Sequence, residues 1–210
     1  MTTKTILKAR IADDLARSDL TVQIGEAIDD AINHYKEKRF FWNETRLATF
    51  VTVAGTSTYT SSEDADIPLF VELDAVMLND GTNTYNLRLV TPEEIEGLLD
   101  SSASSGRPYN YSYYEESFRL YPIPDAVYTV RPIGLIEKAG PATDGEANNV
   151  WMLNAFELIR CKAKGLLAQH VIIDTELAAI AYAAEQVAYQ MLRRKSSKKQ
   201  GGSGIEATSF

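Results

Sequence analysis

The spacing between apolar residues changes twice along this chain, and each change limits the folds that the chain can adopt. Near the N-terminus, apolar residues such as Ile24, Ile28 and Ile32 recur at helical spacing, which predicts helices. From Leu47 to Glu137 the spacing is two, and the residues are largely the β-branched and aromatic types found in strands. Helical spacing returns between Asn154 and Leu192. Because helices and strands occupy separate parts of the sequence, we predict an α+β fold rather than a doubly wound parallel sheet.

These changes of spacing divide the chain into four predicted segments. N-terminal helices are expected over residues 1–44, a central antiparallel β domain over residues 45–140 and a long C-terminal helical hairpin over residues 141–194. The N-terminal helices and the hairpin together are expected to form a helical core. Residues 195–210 are rich in Lys, Ser and Gly and bury little apolar surface, so they are predicted to be a flexible basic arm.

Caps and turns mark the ends of several predicted elements. Asn79-Asp80-Gly81 predicts a hairpin turn, and Thr91 with Glu94 forms a capping box that begins a short helix. Ser18 is expected to cap the second helix and Asn154 to open the C-terminal hairpin through a second capping box. Asp174 is expected to cap the final helix, whose apolar residues recur at helical spacing.

The charge of the chain is acidic overall but is unevenly distributed. Against 29 acidic residues there are 21 basic ones, which gives 210 residues a net charge of −8. The last 18 residues contain five basic residues and one acidic residue, so the rest of the chain is more acidic still. An acidic body repels phosphate and is a poor generic binder of nucleic acid.

Targeting signals and disulfides are not expected. The first 14 residues carry charges where a signal peptide needs an apolar core. The longest apolar run, Leu177 to Ala184, is eight residues, whereas a membrane span needs roughly 20. Cys161 is the single cysteine and has no partner for an internal disulfide. These features predict a soluble protein of a reducing compartment that does not associate with membranes.

Residues that could carry catalysis or bind a metal are few, and none forms a recognisable site. His34 and His170 lie on separate predicted helices without metal-ligand spacing around either. Neighbouring cations could lower the pKa of Cys161, but a small packed residue is the favoured interpretation. Glu115 and Glu116 are adjacent, so they point to opposite faces and do not match the facing carboxylates of a glycosidase. We therefore predict no enzymatic activity, no cofactor and no metal.

Six of the eleven tyrosines lie within 20 residues of the β region. Tyr109, Tyr111 and Tyr113 share one face of a strand if the period is two, and Tyr114 follows them. Tyrosine has an apolar body and a polar tip, which suits a subunit or tail interface. Two other interpretations stay open: the side chains cover one face of a sheet, or they stack on nucleic-acid bases.

A series of loose sequence patterns extends over nearly the whole chain. These are Ile11–Leu20, Ile24–Ile32, Arg39–Glu44, Thr49-Phe50, Tyr59, Gly106–Pro108, Leu120–Asp125 and Asn149–Asn154, followed by the C-terminal helical pair. In this order they resemble the adaptor, or head–tail connector, proteins of tailed bacteriophages. The resemblance implies a structural virion protein of the neck, assembled in the host cytoplasm.

The resemblance also implies a set of partners. Identical copies form a ring, commonly twelvefold, beneath the portal protein. The ring extends the channel through which genomic DNA passes without sequence-specific binding, and it offers a platform to the next neck or tail protein. A C-terminal segment often clamps the portal. In this chain the matching segment has the following basic and apolar residues: Arg193, Arg194, Lys195, Lys198, Lys199, Ile205 and Phe210.

Two other functions stay open at this point. A nucleic-acid-binding module would use the basic C-terminal arm and the tyrosine strand, with a steep dependence on salt. A tail-associated cell-wall hydrolase would use Glu115 and Glu116. The charge balance disfavours the first, and the geometry of adjacent carboxylates disfavours the second.

Overall fold

A computed structural model of the chain describes residues 2–62, 64, 66–101 and 104–199. Contacts divide the chain into a helical unit, residues 1–42 with 138–210, and a β unit, residues 43–137. The predicted α+β class is confirmed. None of the helices in the described part of the chain is long and apolar enough to cross a lipid bilayer.

The elements are numbered in chain order. The helices are α1 (Lys4–Leu15), α2 (Thr21–Tyr35), α3 (Pro92–Ser101), α4 (Val150–Asn154), α5 (Phe156–Leu167) and α6 (Thr175–Lys199), with a π-helical turn at Ala168–Ile172. The strands are β1 (Glu44–Thr45), β2 (Phe50–Val51), β3 (Thr58–Thr60), β4 (Phe70–Asn79), β5 (Thr84–Asn86), β6 (Arg88–Leu89), β7 (Asn110–Tyr114), β8 (Ser117–Tyr121) and β9 (Thr129–Ile136). Helix α3 belongs to the β unit, and the other helices belong to the helical unit.

Two of the predicted helix caps are confirmed. The backbone N–H of Leu177 donates to Asp174 Oδ1 at 2.9 Å, which satisfies a free donor at the start of α6. The N–H of Glu94 donates to Thr91 Oγ1 at 3.2 Å at the start of α3. Both caps depend only on neighbouring residues, which is why local sequence predicts them.

Two other predicted caps are wrong. Leu20, not Ser18, occupies the N-cap position of α2, and no side chain caps that helix. Asn149 caps the short helix α4 by accepting the N–H of Trp151 at 3.1 Å. Asn154 is therefore already helical when α5 begins, and its side-chain amide donates to the Val150 carbonyl at 3.1 Å instead.

The core of the helical unit is built where α5 packs against α1, α2 and α6. Trp151 and Phe40 are fully buried there, and the indole Nε1 of Trp151 donates to the Lys138 carbonyl at 2.8 Å. Phe40 also stacks on Trp42 with ring centroids 4.6 Å apart. Full burial of each large apolar side chain contributes about 1.5–3 kcal/mol, so these side chains stabilise the unit substantially.

The β unit contains two sheets. In the first, β1 and β2 both pair with β9, β9 pairs with β4, and β4 pairs with β5. The predicted hairpin at Asn79–Gly81 joins β4 to β5, with Gly81 at φ 91°. The second sheet has the order β3-β8-β7-β6. Buried residues of both sheets, among them Val76 and Phe118, form one apolar cluster.

One strand pair differs from the predicted antiparallel arrangement. Strand β6 runs parallel to β7, with Arg88 opposite Asn110 and Leu89 opposite Tyr111. After Asn86 the chain leaves the first sheet, and α3 then provides the crossover connection that a parallel pair requires. The β unit is therefore mixed rather than purely antiparallel.

Candidate docking surfaces

The basic residues expected in a flexible arm are helical as far as Lys199. Helix α6 continues through Arg193, Arg194, Lys195, Lys198 and Lys199, which we call the basic end of α6. Ser196 is buried between them, and its hydroxyl accepts the backbone N–H of Phe41 at 3.4 Å. The expected arm is thus corrected for residues 195–199. Ile205 and Phe210 lie outside the described residues.

Cation–π contacts explain why the helix continues through a run of like charges. The ammonium groups of Lys195 and Lys199 lie 5.5 and 3.9 Å from the centroid of the Phe41 ring. The guanidinium of Arg193 lies 5.9 Å from the Tyr189 ring. Cations in the last turns also complement the partial negative charge at a helix C-terminus. The basic end of α6 is therefore an ordered, exposed patch of positive charge.

A row of exposed apolar residues lies on the side of α6 that faces away from the core. Ile180, Val187 and Met191 are 61%, 56% and 65% exposed, and Ala183 and Ala184 beside them are exposed too. We call these five residues the outer stripe of α6. The helical spacing of apolar residues in the sequence does not distinguish these exposed positions from the buried ones. The buried side of the helix is formed by Ala178, Ala181, Glu185, Leu192 and Ser196.

An apolar groove borders the outer stripe near the C-terminal half of α6. Leu153, Phe156 and Leu158 line one wall, and Met191 and Leu192 line the other. The groove has a volume of about 350 Å³, with Lys195 at its rim. It can accept an apolar side chain and offer a cation to an acidic neighbour of that side chain.

A buried polar cluster fixes α6 against the rest of the helical unit. The Glu185 carboxylate is 3% exposed, accepts the hydroxyl of Tyr35 and lies 3.4 Å from Lys162 Nζ. Burial, and then the hydrogen bond to Glu185, raise the pKa of Tyr35, so the phenol stays protonated. The sequence offered no signal for this cluster, because its members come from three different helices.

The tyrosine surface expected from the sequence is largely internal. Tyr111 is 3% exposed within the β core, where burial raises its pKa. Tyr113 is partly buried, and its hydroxyl accepts the N–H of Phe70 at 3.2 Å. The period of two placed these residues on one face, but that face points inward. The interface assignment is therefore corrected for Tyr111, which is buried, and stays a prediction for Tyr113, which is half-buried.

Tyr109 and Tyr114 keep surface positions. Tyr109 is 53% exposed and packs edge-to-face on Tyr121 at 6.0 Å between ring centroids. The Tyr114 hydroxyl donates to the Glu96 carboxylate, and this hydrogen bond raises the pKa of Tyr114. A subunit or tail interface at these two residues stays a prediction.

The remaining candidate residues occupy ordinary structural positions. Glu115 and Glu116 form the exposed two-residue turn between β7 and β8, with φ of 49° and 57°. Burial raises the pKa of Cys161 and outweighs the opposing effect of Lys164 and Arg160. Within the described residues, no group of three His, Cys, Asp or Glu side chains is arranged to hold a metal ion.

Comparison with known proteins gives one match that extends over both units. A protein-family model described as SU10 adaptor protein matches residues 1–204 of the chain. No curated protein matches the chain.

Proposed function

Because the chain belongs to the SU10 adaptor protein family, a family of phage structural proteins, we propose that it is a head–tail adaptor that forms a ring beneath the portal. In this proposal the ring contains about twelve copies, extends the DNA channel and presents a platform to the next neck or tail protein. The observation that carries the proposal is the family match over nearly the whole chain, which includes both the helical unit and the β unit.

The charge of the chain supports a role along a DNA channel. The net charge of −8 repels phosphate, so DNA can pass such a surface without binding to it. The protein would act in the virion neck after assembly in the host cytoplasm. It would act by contacts with its neighbours, with no bond made or broken.

We assign the portal contact to the basic end of α6 and the residues that follow it. Lys195 and Lys199 are held in place by Phe41, and the apolar groove lies beside Lys195. An acidic segment of the portal with an apolar residue fits this combination of charge and shape. Ile205 and Phe210 would add apolar anchors from the segment beyond Lys199.

Truncation after Lys199 tests the portal contact without disturbing α6. A deletion that began at residue 195 would remove the buried Ser196 and the lysines on Phe41, and would therefore affect folding as well. Deletion of residues 200–210 leaves these contacts intact. We expect the truncated chain to unfold at the same denaturant concentration as the full chain but to lose most of its retention on immobilised portal protein.

Point variants provide the matched control. Ile205→Ser with Phe210→Ser should weaken portal retention, whereas Ala207→Ser in the same segment should leave it unchanged. Undiminished retention of the truncated chain would refute a portal contact by this segment. Binding of DNA that falls steeply with salt and depends on the basic end of α6 would instead support the nucleic-acid-binding alternative.

A further inference from the structure

The outer stripe of α6 leaves apolar surface uncovered in the described chain. Its three large residues, Ile180, Val187 and Met191, are each more than half exposed. Burial of apolar surface is favourable in proportion to the area removed from water, so a partner that covered all three side chains would gain affinity from them. The identity of that partner is indicated by the charges at the two ends of the same line of residues.

Opposite charges lie at the two ends of the stripe. With 3.6 residues per turn, Glu176 and Lys198 lie on the same side of α6 as Val187, eleven residues away in each direction. Arg194 lies on this side as well, between Met191 and Lys198. The line from Glu176 to Lys198 is about 33 Å long, and its middle is apolar.

This line of residues on α6 is complementary to the same line on a second copy of α6 that runs in the opposite direction. A second α6 running antiparallel, with Val187 opposite Val187, brings Glu176 of each copy to Lys198 of the other. The same register sets Ala183 opposite Met191, a small residue against a large one, and Ile180 opposite the aliphatic stem of Arg194. A parallel pair would instead set Arg194 and Lys198 against the same cations of the second copy.

We propose that the outer stripe of α6 binds the outer stripe of a second copy of this chain, antiparallel and centred on Val187. The contact is isologous and closes at two copies, so it is a dimer of the free chain and differs from the heterologous contact that builds a ring. The inference goes beyond the proposed function, because the dimer needs neither portal nor ring.

Single cysteines introduced into a Cys161→Ser chain test the register. Val187→Cys should form a disulfide-linked dimer on mild oxidation, because the two residues meet at the two-fold axis. Ile180→Cys alone should not, because the antiparallel register separates the two copies of this residue by about 21 Å, far beyond the roughly 4–7 Å between Cα atoms of a disulfide. A mixture of Ile180→Cys and Arg194→Cys chains should form a linked heterodimer.

Two valines of similar exposure, one in each unit, provide a matched pair of variants for a test of dimer formation. Val187→Asp should remove the dimer from the mass distribution of the full chain, whereas Val53→Asp should not, although Val53 of the β unit is exposed to nearly the same extent, 58%. Glu176→Lys and Lys198→Glu should each weaken the dimer, and the double variant should restore it. Each variant is first compared with the unaltered chain in thermal unfolding.

The outcomes separate this inference from the proposed function. A monomeric mass for the unaltered chain at all concentrations, or self-linking of Ile180→Cys, would overturn the antiparallel dimer. Neither result would affect portal retention, which is measured on the same preparations. Absence of portal retention by the monomeric Val187→Asp chain, with Val187→Cys still forming the linked dimer, would instead contradict the proposed function and leave the dimer standing.

Discussion

Gly134 lies at a crowded point between β4 and β9. A Cβ atom at this position would fall 2.1 Å from the carbonyl oxygen of Glu72, which is backbone and cannot move aside. The register between the two strands shifts on either side of Glu72 and Leu73, and this irregularity brings the backbones close. The sequence shows a glycine in a strand but not the close approach, because the approach depends on a strand more than 60 residues away.

Replacement of Gly134 tests this close approach. Gly134→Ala should lower the free energy of unfolding of the β unit by about 3 kcal/mol, because the strands must separate to admit the methyl group. Gly97→Ala in α3 is the control, since no heavy atom lies within 4 Å of its added Cβ. The free energy of unfolding of Gly97→Ala should rise by about 0.5–1 kcal/mol, because alanine has a higher helix propensity than glycine. If both substitutions changed the free energy of unfolding equally, as measured in urea, the close approach of β4 to Gly134 would be contradicted.

Asp14 joins α1 to α5 through three donor atoms. Its carboxylate accepts Arg160 Nε and Nη2 at 2.9 and 2.7 Å and lies 3.1 Å from Lys164 Nζ. The hydrogen bond from Arg160 is the main reason that the pKa of Asp14 lies below its usual 3.8, and Lys164 adds to the effect. A lowered pKa means that the folded state favours the ionised carboxylate.

The stability from Asp14 should therefore depend on pH. Its contribution is fully present above the pKa of the unfolded state, near 3.8, and is lost as the pH falls through the lower pKa of the folded state. Asp14→Asn should lower the free energy of unfolding by about 0.5–1 kcal/mol at pH 7. The difference from the unaltered chain, measured by chemical unfolding, should become progressively smaller below pH 4. Asp13→Asn, on the exposed side of α1, is the control. A cost for Asp14→Asn that did not change with pH would rule out the ion pair.

At the scale of elements, sequence spacing predicts helices and strands well but does not predict which side of each is buried. The apolar residues of α6 recur at helical spacing, yet they divide between the core side, with Leu192, and the outer stripe, with Val187. Likewise the period of two in β7 places Tyr111 correctly on one face without showing that this face points inward. Burial is decided by neighbouring elements that are distant in sequence, and a local pattern carries no information about them.

The buried Glu185 is an element-scale feature that sequence spacing does not reveal. It occupies a core-side position of α6 that an apolar residue would be expected to fill, and it contacts Tyr35 of α2 and Lys162 of α5. Such a cluster fixes the register of three helices, because a displaced α6 would leave the carboxylate buried without a partner.

Removal of the Glu185 carboxylate should therefore destabilise the helical unit. Glu185→Ala leaves Lys162 and the Tyr35 hydroxyl without their acceptor, and we expect a loss of about 3 kcal/mol in guanidinium unfolding. The triple variant Glu185→Leu, Lys162→Met, Tyr35→Phe should recover most of the loss, because the whole cluster is replaced by apolar groups. A Glu185→Ala chain as stable as one with Gln186→Ala, an exposed neighbour, would contradict this role.

For the whole molecule, the α+β class and the family follow from the order of features along the sequence, and the structure and the family match confirm both. The docking surfaces could be predicted only in part. The positive charge near Arg194 is visible in composition, but its fixed position on an ordered helix depends on Phe41, more than 150 residues away. The chain as a whole combines a helical unit with a second unit that contains two sheets and helix α3.

The mass of the complex formed with the portal protein tests this account most directly. The full chain is mixed with assembled portal, and the mass of the resulting particle is measured by native mass spectrometry. The account predicts one particle that contains a closed set of many copies of the chain on each portal. Recovery of the portal and the free chain at their separate masses, at every mixing ratio, would contradict it.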